Sequence, residues 1–147
     1  MWVSIILAIG LVVGLMYAAV TTDKKSSSAA GKIDPITFSD WMKGSPLAKT
    51  TLIEYSDLQC PACRSYYPVM KKIEKEFGPS IQIFFRHYPL VELHKNALQA
   101  AYATEAAGKQ GKFWEMHDRL FEEQDKGSEI ADPKEAFREY AKQLQLS

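Results

Sequence analysis

The hydrophobic positions of this chain fall into two regimes, one continuous and one periodic. From Met1 to Val20 no charged side chain interrupts a run of Ile, Leu, Val, Ala and Gly. A helix of about 20 apolar residues spans about 30 Å, the thickness of a bilayer's hydrocarbon core. Trp2 and Tyr17 stand near its two ends, where amphipathic rings favour the membrane interface. The pattern predicts a transmembrane anchor over residues 1–20. A cleaved signal peptide is the alternative, but its apolar region is usually shorter, follows Lys or Arg, and ends in a small-x-small site. Here the charged leader is missing, for which a misassigned start would also account, and Tyr17 interrupts the obvious cleavage site before Val20. Thr21 to Gly31 is rich in Ser, Ala and Lys without apolar period, so residues 21–32 are expected to form a flexible tether.

Periodic sequence begins near Ile33 and is expected to fold as one domain over residues 33–147. Phe38, Trp41 and Met42 suggest a short helix ended by Gly44-Ser45-Pro46. Thr50 to Tyr55 is β-prone and reads as a buried strand. A helix should open at Pro61, a residue suited to the first helical position. Tyr66, Met70, Ile73 and Phe77 then recur at helical spacing until Gly78-Pro79 stops the run. Ile81 to Phe85 predicts a second strand. Further helices are predicted over about Leu93–Ala107, over Phe113–Glu123, and from Asp132-Pro133 onward with Phe137, Tyr140, Ala141 and Leu144 inward. Strand, helix, strand and then helices is the opening βαβ unit of an α/β fold, with a helical segment over about residues 92–147.

Length and charge narrow the classes. A chain of 147 residues supports one real core and not two. Eighteen basic residues balance eighteen acidic ones, and no Lys/Arg block argues for nucleic acid. Lys24 and Lys25 follow the apolar span, which the positive-inside rule would place in the cytoplasm. The cysteine chemistry argues for the opposite side, and that argument is given precedence: a single-pass membrane protein with its domain in the periplasm or at the cell surface.

That chemistry rests on Cys60 and Cys63, the two cysteines of the chain, at a predicted strand-to-helix junction. Thiol–disulfide exchange needs one thiolate to attack and a second thiol near enough to resolve the mixed disulfide. A helix N-terminus supplies unpaired N–H groups and the positive end of the macrodipole. Cys60 is therefore expected to attack, with a pKa below the ordinary value of about 8.5, and Cys63, one turn on and more deeply packed, to resolve. Zinc would need two further ligands. The candidates His87, His94 and His117 lack the usual spacing, so no metal is expected. A purely structural disulfide across so short a loop would stabilise little.

Glu54-Tyr-Ser-Asp-Leu-Gln-Cys60-Pro-Ala-Cys63, Phe85-Arg-His-Tyr-Pro-Leu90 and Gly111-Lys-Phe-Trp-Glu-Met-His-Asp-Arg-Leu-Phe121 together resemble the DsbA-like thiol–disulfide oxidoreductases of the thioredoxin superfamily. The resemblance runs from about Ser45 to Ser147. It implies a thioredoxin-like α/β fold with an inserted helical subdomain, and dithiol oxidation outside the cytoplasm with no cofactor beyond the Cys60–Cys63 disulfide. Glu54 matches the family's buried acid, six residues before the first cysteine, implied to shuttle protons for the buried thiol. Pro68, eight residues after Cys60, resembles the proline that kinks the active-site helix. Pro61, Ala62 and Asp57 would support the site. The Pro-Ala dipeptide differs from the Pro-His of the family's strongest oxidants and implies a milder one. The family continues into a strand preceded by a cis-proline, two more strands and a final helix. This chain stops earlier, so the resemblance implies a shortened member without the C-terminal strands, whose second strand would keep an unpaired edge.

Blander readings stand beside these. Glu54 can be the outward residue of an edge strand, Asp57 a turn residue, and Arg64 a solvated helix residue. The three histidines read as structural, Phe113 and Trp114 as core, and Glu122 to Asp125 as solvated surface. The implied partners are reduced secreted proteins as substrates, a DsbB- or VKOR-like quinone-linked membrane oxidase, and the membrane itself. A reductase or isomerase is the alternative activity. A non-catalytic anchored module that holds a partner protein or a soft metal such as Cu(I) is the alternative class.

Overall fold

The computed structural model describes residues 10–17, 33–127 and 132–147. The chain divides into two units, Met1–Pro35 and Ile36–Ser147. In the first, residues 10–17 are helical and exposed. The remainder of the expected anchor over residues 1–20, and all of the expected tether over 21–32, lie outside the described residues. Among the described residues no helix is long and apolar enough to cross a membrane.

The second unit is built on three strands, β1 (Trp41–Gly44), β2 (Thr50–Ser56) and β3 (Ile81–His87), in the order β1-β3-β2. Strand β2 runs parallel to β3, with Glu54 opposite Phe85, and helix α1 (Pro61–Phe77) connects them. A short 3₁₀ turn, Gly78–Ser80, leads from α1 into β3. The helical segment follows as α2 (Ala97–Gly108), α3 (Phe113–Glu122), the single turn α4 (Gln124–Gly127) and α5 (Lys134–Gln143).

Strand β1 corrects the expected short helix over Phe38–Met42. It pairs antiparallel with β3, Trp41 opposite Phe85, so β3 is the central strand and not an unpaired edge. Alternation decides this. Trp41 and Lys43 point to one face, where the Trp41 ring stacks on Phe113 at 4.4 Å and Lys43 lies over the Trp114 ring at 4.4 Å. A helix would have swung these two side chains apart. Gly44 ends the strand at φ +85°, a conformation that favours glycine, and a Cβ there would sit 2.3 Å from the Ile81 carbonyl oxygen.

Two further expectations shift. The helix expected from Leu93 begins at Ala97, because Leu90 to Asn96 form turns in which the Leu93 and His94 N–H groups both donate to the Leu90 carbonyl. On α1 the inward face carries Cys63, Tyr67, Met70 and Ile73, while Tyr66 and Phe77 are exposed. Pro68 lies inside α1 and removes the N–H that would have paired with the Arg64 carbonyl.

The core lies between the sheet and the helical segment. Helix α3 buries Phe113, Met116, His117, Leu120 and Phe121, a stripe at the spacing of one helix face. These pack with Leu58, Phe85, Ala100, Ala107, Phe137 and Tyr140. Helix α2 contributes only small buried residues, Ala97, Ala100, Ala101, Thr104, Ala107 and Gly108. Small side chains let its backbone approach closely. Gly108 is the extreme case: a Cβ there would fall 2.4 Å from Cζ2 of Trp41.

That contact generates a test against helix propensity. Alanine is the better helix former by about 1 kcal/mol, yet Gly108→Ala should destabilise the fold by about 1–3 kcal/mol, because a well-packed ring must move. Urea unfolding of the two proteins measures the difference. An unchanged or increased midpoint would contradict the seating of Trp41 on Gly108.

Candidate active site

Strand β2 delivers the chain into a tight turn at Asp57–Cys60 and from there into α1. The Asp57 side chain accepts the Gln59 N–H at 2.7 Å, and the Asp57 carbonyl accepts the Cys60 N–H at 3.1 Å. This is the local hydrogen bonding for which Asp favours turns. Cys60 is the N-cap residue of α1, with extended φ −73° and ψ 121°, and Pro61 takes the first helical position. No side chain caps this helix end. The N–H groups of its first turn and the positive end of its dipole are therefore free to act on the Cys60 sulfur. Pro61 and Ala62 are exposed, and the Ala62 carbonyl accepts the Ser65 hydroxyl at 2.7 Å.

Cys63 lies one turn on and packs against the hydrophobic core. Burial pushes its thiol up, and the neighbouring Cys60 adds to the shift, against the opposing hydrogen bonds of the Ser56 hydroxyl and the Asp57 N–H. Both cysteines are free thiols in this structure.

Glu54 sits two residues before Ser56 on the same face of β2. Although β2 is an edge strand, Glu54 faces inward, lining a small cavity of about 20 Å³ with Tyr67, Trp114, His117 and Asp118. Burial pushes its carboxyl up, against the charges of His117 and Lys43 and a hydrogen bond from Ser56. Ser56 thus stands beside both the Glu54 carboxyl and the Cys63 thiol and favours the charged form of each. Ser56 carried no signal in the sequence beyond its place in the turn.

The turn is held from three directions. The Asp57 side chain, 1 % exposed, also accepts the Leu90 N–H at 2.9 Å and the His94 Nδ1–H at 2.7 Å. The buried Gln59 side chain accepts the Asn96 N–H at 2.8 Å. Gln124 Nε2 donates to the carbonyls of Leu58 at 3.0 Å and Cys60 at 3.1 Å. Each such buried group left without its partner would cost about 1–3 kcal/mol. The stretch Glu122 to Asp125 is therefore not simply solvated surface: Gln124 is buried within it, and Asp125 pairs with Arg64. Arg64 is accordingly paired rather than free in solvent, and His94 belongs to the active-site turn. The partners of His94, Asn96 and Gln124 lie more than thirty residues away in sequence, beyond any local motif. Among the described residues no three His, Cys, Asp or Glu side chains converge as metal ligands.

The raised Glu54 carboxyl has a consequence for stability. Its folded value lies above the ordinary 4.5, so the native state holds a proton that the unfolded chain releases. The stabilising contribution is full below about pH 4.5 and is lost as pH rises through the folded value. Glu54→Gln removes this dependence. The variant should be more stable than the parent at pH 8 and gain nothing at pH 4, as read from urea midpoints. Parallel stability–pH curves for the two proteins would contradict the buried placement.

Three comparisons bear on this geometry. A family model described as thioredoxin matches residues 37–146. Among solved structures, alpha-DsbA1 of Wolbachia pipientis is similar at a TM-score of 0.66 and 24 % identity, over 76 % of this chain and 57 % of that one. ScsC of Proteus mirabilis is similar at a TM-score of 0.60 and 22 % identity, over 74 % of this chain and 47 % of that one. A thioredoxin-like oxidoreductase from Silicibacter pomeroyi DSS-3 gives 0.57 and 23 %, over 74 % and 58 %. Among curated proteins, 86 residues are 42 % identical to Na(+)/H(+) antiporter NhaA 1 of Mycolicibacterium gilvum, covering 58 % of this chain and 14 % of the antiporter. An antiporter of Salinispora tropica, NhaA 3, matches over 86 residues at 41 %, covering 58 % and 13 %. The chain thus spans about a seventh of the curated relatives' length and a little over half of the Wolbachia protein's. With its CxxC pair at the start of α1 and its helical segment after β3, the chain belongs to the thioredoxin family, and its fold is similar to that of the Wolbachia DsbA protein.

Proposed function

We propose that this chain is a membrane-anchored, extracytoplasmic thiol–disulfide oxidoreductase that forms disulfides in secreted proteins through Cys60 and Cys63. The observation that carries the reading is Cys60 at the uncapped N-terminus of α1, with Cys63 one turn on and packed against the core. In the oxidising direction a substrate thiolate attacks Cys60 of the Cys60–Cys63 disulfide. The S–S bond breaks, and Cys63 leaves as a thiolate and takes up the proton that Glu54 can supply. A second substrate thiolate then attacks the substrate sulfur of the mixed disulfide, and Cys60 departs as a thiolate. Two electrons pass from substrate to protein, and a quinone-linked membrane oxidase would remove them. Such a partner fits an anchor formed by the apolar residues 1–20. The Pro-Ala dipeptide supports a mild oxidant, since no histidine stands between the cysteines.

The test uses the full chain in detergent with a reduced, unfolded disulfide protein as substrate. The oxidised parent should transfer its disulfide. Cys63→Ala, activated as the Cys60–glutathione mixed disulfide, should accumulate a Cys60–substrate adduct, and Cys60→Ala should abolish exchange. Glu54→Gln should slow exchange by about tenfold to hundredfold. Absence of both transfer and adduct, with stoichiometric retention of Cu(I) instead, would overturn the reading in favour of a metal-holding module.

A further inference from the structure

His117 is a buried titratable group beside the site that this exchange scheme leaves unused. It lies on α3 at 5 % exposure, with its ring edge-on to Phe85 at 4.7 Å and to Phe121 at 5.0 Å. Its Nδ1 is 2.9 Å from Asp118 Oδ1. Burial alone would raise the Asp118 carboxyl, but the hydrogen bonds from His117 and Lys71 and the charge of Lys43 outweigh it and hold it at about 2. Asp118 is therefore a carboxylate at neutral pH and can only accept, so Nδ1 carries the proton. In a neutral ring Nε2 is then a bare acceptor. Among the described residues that buried nitrogen has no hydrogen-bond partner.

An orphaned acceptor this deep needs a reason. The cavity that Glu54 and His117 line together provides one. At about 20 Å³ it has room for one water between two polar groups. It runs out between α1 and α3 to the half-exposed Lys71 and Glu74. Thus a carboxyl that burial favours as the neutral, donating acid faces the same small space as an imidazole nitrogen that has no other hydrogen-bond partner among the described residues.

We propose that His117 is the proton-exchange partner of Glu54, a positioning residue that carries the Cys63 proton between the buried acid and solvent. The inference rests on the exchange reading above. When a mixed disulfide on Cys60 is resolved, the Cys63 S–H bond must break before its sulfur can attack. The proton passes by way of the Ser56 hydroxyl to Glu54, and from Glu54, directly or through one water, to His117 Nε2. There an N–H bond forms, and the imidazolium is held by the Asp118 carboxylate. In the reverse half-reaction the proton returns along the same path when Cys63 leaves as a thiolate. Every charged or titratable group around His117 fits this scheme. Lys43 of β1 bonds Glu74 at 3.1 Å and stands 3.9 Å from Asp118. Lys71 of α1 holds Asp118 at 2.9 Å, so neither lysine is loose beside the imidazole. The Tyr67 hydroxyl of α1 is committed to Glu122 at 3.2 Å. His87 of β3 stands 3.2 Å from Glu105, and burial lowers its proton affinity, so it adds no competing charge at neutral pH.

The test is the rate at which the Cys60–glutathione mixed disulfide of the full chain closes to the internal disulfide, followed from pH 5 to 9 by acid quench and mass analysis. His117→Asn keeps an amide donor near Nδ1 for Asp118 but removes Nε2. It should slow closure about tenfold or more near pH 6–7 and rejoin the parent at high pH, where hydroxide takes the proton. His117→Gln, which replaces Nε2 by a group that cannot titrate, should give the same profile and serves if the Asn variant does not fold. A merely structural role would slow closure by one factor at every pH. Glu54→Gln separates the two claims. If it slows closure and His117→Asn added to it slows no further, the two act in series, as proposed. If Glu54→Gln slows closure while both His117 variants follow the parent's profile, the His117 inference falls and the Glu54 reading stands. If Glu54→Gln has no effect, the proton route through Glu54 falls and this inference with it.

Discussion

The buried side chain of Asp57 is the contact on which the site depends. A carboxyl group removed from water must find donors or it destabilises the fold. Asp57 finds three: the Gln59 N–H inside its own turn, and the Leu90 N–H and His94 Nδ1–H beyond β3. The first bond shapes the turn that leaves Cys60 at the end of α1. The other two tie that turn to the segment entering α2, so the cysteine pair is fixed relative to the helical segment as well as to the sheet. Gln124, reaching to the Leu58 and Cys60 carbonyls from the junction of α3 and α4, closes the clamp from the far side. A reactive sulfur at a helix end is useful only if that end does not fray, and here the turn before it is tied to distant segments through Asp57, Gln59 and Gln124.

The same arrangement divides two environments between two sulfurs three residues apart. Cys60 meets the free N–H groups of an uncapped helix beside the exposed Pro61 and Ala62. Cys63 meets the core, where burial favours the neutral thiol. Different surroundings suit chemically identical groups to the two proposed roles, one to attack and one to resolve. The inner thiol then needs a proton acceptor, and the sheet provides it through simple alternation: Glu54 and Ser56 share one face of β2 and lead toward α3.

Much of this was legible because it is local. The Asp57–Cys60 turn, the proline at the helix start, the apolar stripe of α3 and the stop at Gly78-Pro79 are all written within a few residues of where they act. What was illegible is what depends on distant partners. Strand β1 is four residues long, and only its pairing with β3 and the seat of Trp41 on Gly108 settle strand against helix. Leu93 was expected to open a helix, yet it lies exposed in a turn where His94 beside it is committed to Asp57. Tyr66 and Tyr67 are equally apolar in sequence, and the one that faces the core is the one that meets Phe121 and Glu122. Gln124 stood in an acidic, hydrophilic run whose pattern gives no sign that its amide reaches the Cys60 carbonyl.

The central claim is that Cys60 and Cys63 act as one two-electron redox pair held by this clamp. Its most direct test is the equilibrium of the full chain with glutathione buffers of graded potential, with the cysteine-bearing peptide quantified by mass after acid quench. The account predicts a single transition in which both thiols are lost together as an internal disulfide, without a persistent glutathione adduct. Accumulation of glutathione on Cys60 while Cys63 stays free would contradict it, for the second sulfur would then not be placed to resolve the first.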